Sequence, residues 1–358
     1  MLLGRTTLSK FLIEQLRGAD GGPGELAALL VDVAAAVKQI AAIVAKGALG
    51  VHLGANDEHK KLDMLAHDAV IQACDWSGLT AGLASERLEA PYAIPAEYQR
   101  GPLLLVFEPL DGTSNTDLNM ALGTIFSVLR HGAGDTAPGT QHFLQDGRKQ
   151  IAAGYAIYGP ATMLVLCVGR GTHGFTLDRE TGNFILTHPK LRIPEDTGEF
   201  AINSSNERFW EPPVQRYVSE CKAGRSGERQ RDFNMRWNAC LVAEVHRILM
   251  RGGVFLYPRD GRDPGTPGRL RLMYEANPMA LLIEQAGGLA STGRGALLDQ
   301  SPQDLQQRIP VVLGSKHEVE RIERYHAEHD RGADIEFQSP LFNERSLYRP
   351  EMRVGAGG

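Results

Sequence analysis

The sequence is poor in the features that mark secreted, membrane and nucleic-acid-binding proteins. Its 358 residues include four cysteines that lie far apart, so neither a disulfide framework nor a C-x-x-C metal site is expected. The formal charge is −5, and no basic cluster with interleaved aromatics occurs, which argues against a nucleic-acid partner. The N-terminus lacks a secretory h-region, and no apolar run is expected to span a membrane. We therefore predict a cytoplasmic protein with no membrane partner.

Helical and strand-like segments are mixed along the chain, and a polar, proline-containing stretch lies near 191–197. The predicted helices are 25–46, 60–74, 238–250, 278–285 and 317–329. The predicted strands are 103–107, 125–130, 155–158, 162–168, 175–177, 184–186, 200–202, 254–257 and 311–313. This mixture predicts an α/β (α+β mixed) protein of stacked layers. We expect an N-terminal domain over 1–192, a C-terminal domain over 193–331 and a tail over 332–358.

The pattern Gly169-x-Gly171-x-x-Gly174 matches the glycine fingerprint of dinucleotide-binding proteins. That fingerprint must open a helix, because the helix N-terminus holds the pyrophosphate. The residues that follow instead form two strand-like segments around the turn Thr181-Gly182-Asn183. We therefore predict hairpin connections here and no nucleotide site.

The most informative stretch is Glu108-Pro109-Leu110-Asp111-Gly112-Thr113-Ser114-Asn115, which follows the apolar strand 103–107. Two carboxylates lie three residues apart at the end of this strand, and carboxylate oxygens suit Mg²⁺. The glycine and small residues that follow permit a turn whose N–H groups cradle a phosphate. The alternative is an ordinary turn that caps the strand and binds nothing.

This octet resembles the signature Asp-Pro-Leu/Ile-Asp-Gly-Ser/Thr-x-Asn of the Mg²⁺-dependent, lithium-sensitive sugar phosphatases. The chain from about Thr6 to about Tyr325 resembles one family among them, class I fructose-1,6-bisphosphatase. The supporting segments are Lys60-Lys61-Leu62-Asp63, Ala84-Ser85-Glu86, Gly123-Thr124-Ile125-Phe126, Ala152-Ala153-Gly154-Tyr155, Ala243-Glu244-Val245-His246-Arg247, Gly252-Gly253-Val254-Phe255-Leu256-Tyr257-Pro258 and Arg269-Leu270-Arg271-Leu272-Met273-Tyr274-Glu275-Ala276-Asn277-Pro278. The resemblance implies a two-domain, layered α-β-α-β-α fold.

The resemblance also implies the activity, namely removal of the 1-phosphate of fructose 1,6-bisphosphate, in gluconeogenesis or the Calvin cycle. It implies two or more Mg²⁺ ions, with Mn²⁺ as an alternative, held by Glu86, Glu108, Leu110 (through its carbonyl), Asp111 and Glu275. Asp63 corresponds to a carboxylate that polarises the attacking water, and Asp57 to a loop that closes over the site. The catalytic set is Asp63, Glu86, Asp111 and Thr113.

Substrate contacts are implied by the same resemblance. They fall on Asp111, Gly112, Thr113, Ser114, Asn203, Arg236, Trp237, Tyr257, Arg269 and Tyr274. Arg236 corresponds to an arginine that reaches the neighbouring subunit's site, which implies a homotetramer. Residues placed for a second phosphate disfavour an inositol-type monophosphatase, whereas sedoheptulose 1,7-bisphosphate differs from the fructose substrate by one hydroxylated carbon and stays open.

Two departures from the family pattern affect the metal site. Glu108 replaces an aspartate and reaches one methylene further, although Mg²⁺ demands near-ideal octahedral geometry. Arg87 replaces a glutamate that helps to activate the water, and a cation there opposes metal binding unless it turns away or contacts phosphate. These two residues keep open the alternative of a catalytically impaired paralogue that binds a sugar phosphate or a partner.

Further departures affect substrate and regulator binding. Arg269 stands where the family often has Lys, so a planar fork replaces a point charge. Trp237 stands where the family often has Tyr, so it keeps the ring area but lacks the hydroxyl that makes one phosphate hydrogen bond. Pro23, Ala27 and Pro102-Leu103 replace residues of the family's AMP site. The N-terminal domain is therefore expected to carry a vestigial AMP-site region with weak or absent AMP inhibition.

Overall fold

The structure, a computed structural model, describes residues 5–17, 23–47, 58–132, 137–262 and 265–333. Asp57 lies outside these ranges, as do residues 334–358, which form most of the predicted tail. Within the described ranges, helices cover two large sheets, and a two-stranded ribbon lies apart from them. The helices are α1 Leu8–Gln15, α2 Pro23–Val44, α3 Glu58–Cys74, α4 Thr140–Phe143, α5 Pro212–Ala223, α6 Leu241–Arg251, α7 Asn277–Gln285 and α8 Lys316–Asp330.

The first sheet has eight strands in the order β2-β1-β3-β4-β5-β6-β7-β8. They are β1 Thr80–Ser85, β2 Tyr92–Ala93, β3 Leu103–Asp111, β4 Leu122–Arg130, β5 Ala152–Tyr158, β6 Thr162–Cys167, β7 Thr172–Asp178 and β8 Asn183–Leu191. Neighbouring strands are antiparallel except for β1 and β3. The glycine pattern 169–174 spans the β6–β7 connection, and Gly182 lies in the β7–β8 turn with φ +68°, so the predicted hairpins are confirmed.

The second sheet has five strands in the order β10-β9-β11-β15-β13. The strands of the second half of the chain are β9 Glu199–Ala201, β10 Asn234–Met235, β11 Val254–Tyr257, β12 Leu270–Arg271, β13 Leu289–Ser291, β14 Arg308–Ile309 and β15 Val311–Gly314. Strand β9 pairs in parallel with β10 and β11, whereas β15 is antiparallel to β11 and β13. The ribbon joins β12 to β14.

The elements stack in five layers, which confirms the predicted α-β-α-β-α architecture. Helices α1 to α3 pack on one face of the first sheet. Between the two sheets lie α6 and α7, whose Val245 and Leu282 share a core with Ile125 of the first sheet and Phe255 of the second. Helices α5 and α8 cover the outer face of the second sheet. The strand ends that carry the acidic residues therefore meet the inner helix layer.

Helix α2 is unusually apolar. Its segment Gly24–Val44 is long and apolar enough to cross a membrane by length and composition, so the prediction that no apolar run reaches this length is wrong by that measure. The helix packs into the N-terminal core, where Leu29, Leu30 and Ile40 are at most 1% exposed. Its apolar composition thus serves burial against α1, α3 and the first sheet.

Helices α1, α4 and α5 and the central strand β1 were not predicted. Helix α1 begins after Thr7, whose hydroxyl accepts a hydrogen bond from the Lys10 N–H at 3.3 Å, and its 8 residues are too few for an apolar spacing to repeat. Helix α5 begins with two prolines, which hide its helical spacing. Strand β1 contains small residues of low strand propensity, but all six are buried between β2 and β3. Tertiary position, not local sequence, makes β1 a strand.

Candidate active site

The site is built around the end of β3, where the backbone leaves the sheet. The pairing with β4 is regular up to Glu108 and shifts register before Asp111. Because of this shift, the Glu108 and Asp111 side chains do not follow the regular alternation between the two faces of the sheet. Gly112 follows with φ +77°, and a 3₁₀ turn covers Thr113–Asn115. A Cβ at Gly112 would lie 2.8 Å from the Cβ of Cys240, so only glycine permits this close approach to the segment before α6.

Asp111 faces the beginning of α6. Its Oδ2 accepts hydrogen bonds from the Val242 N–H at 2.6 Å and from the Cys240 thiol at 3.1 Å. Burial raises the pKa of Asp111, and these hydrogen bonds oppose that rise. Because the unpaired N–H groups of a helix start favour an anion, α6 fixes the Asp111 carboxylate in its orientation.

Glu275 lies in a π-helical turn, Leu272–Ala276, that leads into α7. Its Oε2 accepts a hydrogen bond from the Arg271 N–H at 2.6 Å, and the residue is only 6% exposed. Burial raises the pKa of Glu275 to about 8, with further contributions from the negative charges of Asp111 and Glu86. A π-turn inside a helix is often found at functional sites.

Glu108 is the least satisfied of the acidic residues. Its Oε2 is buried and accepts no hydrogen bond from the described part of the chain. Burial raises the pKa of Glu108 well above its usual value, and the charges of Glu275, Asp111 and Glu86 raise it further. Asp111 and Glu275 are buried and Glu108 has one buried oxygen, and their mutual repulsion is costly unless protons or cations neutralise them. This donor set of hard oxygens therefore fits a divalent cation.

Glu86, at the end of β1, is paired with a cation of the chain itself. Arg271 Nη1 lies 2.5 Å from Glu86 Oε1. The Nε of the same guanidinium donates a hydrogen bond to Gln306 Oε1 at 2.7 Å. Gln306 also donates to the carbonyls of Glu86 and Leu88. Arg271 was not among the predicted site residues, although it lies in the same segment as Arg269 and Glu275. The signal that could have identified it is its position two residues after Arg269 and four residues before Glu275.

Asp63 and Arg87 form a second ion pair at this end of the site, joining α3 to the residue after Glu86. Burial raises the pKa of Asp63, Arg87 lowers it, and Glu86 raises it, so the pair lies within electrostatic reach of the carboxylates. Among the described residues, no three acidic, histidine or cysteine side chains already converge at ligand distances. The acidic groups are thus gathered in one region, with two of them held by arginines.

The turn after Asp111 places the predicted phosphate-binding residues at the surface. Ser114 is exposed, whereas Gly112 and Thr113 are half-buried. Asn115, which was not predicted to act, is buried and donates from Nδ2 to the Asn238 carbonyl at 2.9 Å. This hydrogen bond ties the turn to the segment before α6 and thereby holds its backbone in place.

A small pocket in the C-terminal half brings together three of the predicted substrate residues: Asn203, Trp237 and Tyr257. The Trp237 and Tyr257 ring centroids are 5.9 Å apart. Asp260 also lines the pocket, and its Oδ1 lies 3.8 Å from Arg269 Nη2. Its Oδ2 binds Arg262 at 2.8 Å, so one buried carboxylate holds two guanidinium groups at the pocket wall.

Tyr274 and Arg236 lie apart from this pocket. Tyr274 is fully buried in a cluster with Met273 and Leu104, and its hydroxyl has no partner in the described part of the chain. Burial raises the pKa of this hydroxyl, with the Glu86 charge as a further cause. Arg236 follows the edge strand β10 and is about half exposed, with Nε 3.4 Å from Glu199 Oε1. Its guanidinium therefore lies at the surface, paired with Glu199 and outside the pocket.

Comparison with known proteins gives a consistent result over almost the whole chain. The family model for the fructose-1,6-bisphosphatase N-terminal domain matches residues 6–189, and that for the C-terminal domain matches residues 193–327. The chain is 53% identical over 351 residues to a class 1 fructose-1,6-bisphosphatase of Methylacidiphilum infernorum (isolate V4), covering 96% of the chain and 98% of that relative. It is 54% identical over 354 residues to the one of Hydrogenophilus thermoluteolus, with the same coverages.

Solved structures of the same kind match the fold. Leishmania major fructose-1,6-bisphosphatase in its holo form has a TM-score of 0.81 at 35% identity, covering 90% of this chain and 99% of that one. The apo form has a TM-score of 0.80 at 33% identity, with the same coverages. The likeness therefore extends from the sequence to the five-layer architecture.

Proposed function

The chain belongs to the fructose-1,6-bisphosphatase family, and from that premise we propose how its residues act on a sugar bisphosphate. It is a phosphoric monoester hydrolase that removes the 1-phosphate of fructose 1,6-bisphosphate and yields fructose 6-phosphate and phosphate. The observation that carries the assignment of the site is the buried, unpartnered Glu108 oxygen, surrounded by carboxylates that raise its pKa. Such a group is stabilised by a proton or by a cation, and a divalent cation can serve several of these carboxylates at once.

The family implies a divalent metal cofactor, and we propose two or more Mg²⁺ ions, with Mn²⁺ as a substitute. The groups that would hold them are Glu86, Glu108, the Leu110 carbonyl, Asp111 and Glu275. When bound, such ions neutralise the phosphoryl oxygens, acidify a water and stabilise the leaving oxygen. The α6 N-terminus supports this assignment, because it orients Asp111 before any ligand arrives.

The chain's own residues then divide into two groups. Near the scissile phosphate, Asp63 polarises the attacking water, while Gly112, Thr113 and Ser114 present N–H and hydroxyl groups to the phosphate. At the other end, Asn203, Tyr257, Trp237 and Arg269 bind the sugar and the second phosphate, and Tyr274 contributes beside Glu86. Arg236 enters the neighbouring subunit's site in a homotetramer. Its exposed position after an edge strand supports this role.

We further propose a cytoplasmic location and the domain division at 1–192, 193–331 and 332–358. The end of the first sheet at Leu191 and the matched family segments 6–189 and 193–327 support the boundary near residue 192. Asp57 keeps its proposed place on a closing loop, outside the described residues. The AMP-site departures also support weak or absent inhibition by AMP, and inhibition at micromolar AMP would contradict it.

The test is phosphate release from fructose 1,6-bisphosphate as Mg²⁺ is varied, with lithium as an inhibitor. We expect Glu275→Gln to reduce kcat/KM by more than about 100-fold, because even supporting residues of a metal site are worth 10–100-fold. Glu180→Gln removes the same charge from the exposed β7–β8 turn and should leave the rate unchanged. Equal rates for Glu275→Gln and the wild type would refute the assignment. Sedoheptulose 1,7-bisphosphate, assayed in parallel, defines the substrate range.

A further inference from the structure

Arg87 makes a contact that its position in the sequence does not reveal. Its Nη1 forms an ion pair with Asp63 Oδ2, and the two side chains are only 27% and 16% exposed. Water and salt screen the attraction within a half-buried ion pair less than they screen an exposed pair. The guanidinium is therefore held against the carboxylate that is proposed to polarise the attacking water.

The scaffold on both sides of this pair is fixed. The Arg87 N–H donates to Ser85 Oγ at 3.3 Å, and the same Oγ is 2.9 Å from His67 Nδ1. His67 lies one helical turn after Asp63 on α3 and stacks on Phe107, with ring centroids 5.7 Å apart. The end of β1 and helix α3 thus keep Arg87 and Asp63 at a set separation.

We propose that Arg87 is a tethered counter-ion that competes with a divalent cation for the Asp63 and Glu86 end of the carboxylate site. This inference rests on the proposed function, because it concerns the metal affinity of that site. A guanidinium keeps its charge at all physiological pH values, so it cannot be neutralised by proton loss. A divalent cation that uses the Asp63 charge must therefore displace Arg87 from this carboxylate.

The consequence is a coupling between residue 87 and the metal. Removing the arginine charge should tighten metal binding, and coupling of this kind is typically worth about 5- to 150-fold in affinity. Arg87 then acts as a positioning and affinity-setting residue rather than a catalytic one. It holds Asp63 when the metal is absent and is displaced from it when the metal enters.

The experiment measures Mn²⁺ binding by calorimetry on the full chain, without substrate. We expect Arg87→Gln to lower the Mn²⁺ Kd by about tenfold, whereas Arg87→Lys retains the charge and stays near the wild type. Arg179→Gln, on the exposed β7–β8 turn, removes the same charge elsewhere and should not change the Kd. An unchanged or weaker affinity in Arg87→Gln, with an unaltered unfolding temperature, would overturn the proposal.

A double-mutant cycle separates competition at Asp63 from general repulsion. In an Asp63→Asn background there is no carboxylate to pair with, so Arg87→Gln should tighten Mn²⁺ binding much less than in the wild type. An equal gain in both backgrounds would show that Arg87 acts by charge alone, and the competition would be refuted. If the wild type and every variant bind no Mn²⁺, the proposed metal site fails together with this inference. Binding that is insensitive to residue 87 refutes the inference alone.

Discussion

Raising the pH through neutrality should tighten divalent-cation binding, because the inner carboxylates hold protons that a cation must displace. The pKa of Glu275 is raised to about 8, chiefly by burial, and those of Glu108 and Asp111 are also raised. At about pH 7 a group of pKa 8 is about 90% protonated, so binding releases about one proton from Glu275 alone. Below pH 8 the Mn²⁺ Kd should therefore rise by at least about tenfold for each unit of falling pH.

The sign for folding is consistent with this expectation. A carboxyl group whose pKa is higher in the folded state stabilises the fold below its unfolded pKa of 4.5, and that contribution is lost as the pH rises toward 8. The metal-free protein should therefore lose stability over this window, by several kcal/mol in order of magnitude for a shift of this size. Bound cation should restore that stability by mass action.

The assay is calorimetry with Mn²⁺ in two buffers of different ionisation enthalpy, repeated between about pH 6 and about pH 9. The difference between the buffers gives the number of protons released. Glu275→Gln should reduce that number and flatten the dependence of the Kd on pH, while Glu180→Gln should change neither. Binding without proton release at pH 7, or a Kd that is independent of pH, would refute the reasoning that burial keeps these groups protonated.

Three further changes test the surroundings of the site. Asp260→Asn should raise the KM for the bisphosphate by about three- to tenfold with little change in kcat, because it releases Arg269 at the pocket wall. Cys240→Ala should weaken Mn²⁺ binding by about tenfold through the lost hydrogen bond to Asp111, and Cys240→Ser should restore it. Burial lowers the pKa of His246 to about 4, so stability should fall by up to about 3 kcal/mol as the pH drops from 6.5 to 4. Urea unfolding should show a smaller fall for His246→Gln.

Much of the fold follows from the periodicity of apolar residues, because a segment with a regular helical or strand-like apolar spacing buries one face against the core. Strand β11 was predicted with its observed bounds, and α7 and α8 with bounds within one residue at each end. Strand β1 could not be predicted, since its small residues favour no strand and become one only between β2 and β3. Helix α1 shows the opposite failure, in which a local capping signal at Thr7 was present but the segment was too short for its apolar spacing to repeat.

The acidic residues of the site were easier to predict than their partners. Carboxylates at the end of an apolar strand, or inside an apolar run as at Glu275, are informative because isolated charges are rarely buried. Arginines carry no such signal, since most of them lie at the surface. The pairing of Arg271 with Glu86 and of Arg87 with Asp63 depends on side-chain directions that only the tertiary structure fixes. Sequence therefore indicated where cations are needed and that Arg87 lies nearby, but not which carboxylate each arginine of the chain holds.

The site thus has two kinds of competitor for a divalent cation, and they respond to different variables. Protons neutralise Glu275 and Glu108, whose pKa values are raised to about 8 and well above the usual value, respectively, whereas a guanidinium neutralises Asp63. Only the first competitor depends on pH in the neutral range, because arginine stays charged. If both act, Arg87→Gln should shift the plot of log Kd against pH to tighter binding without changing its slope. A changed slope would show that Arg87 controls the protonation of the inner carboxylates and that the two competitors are one coupled system.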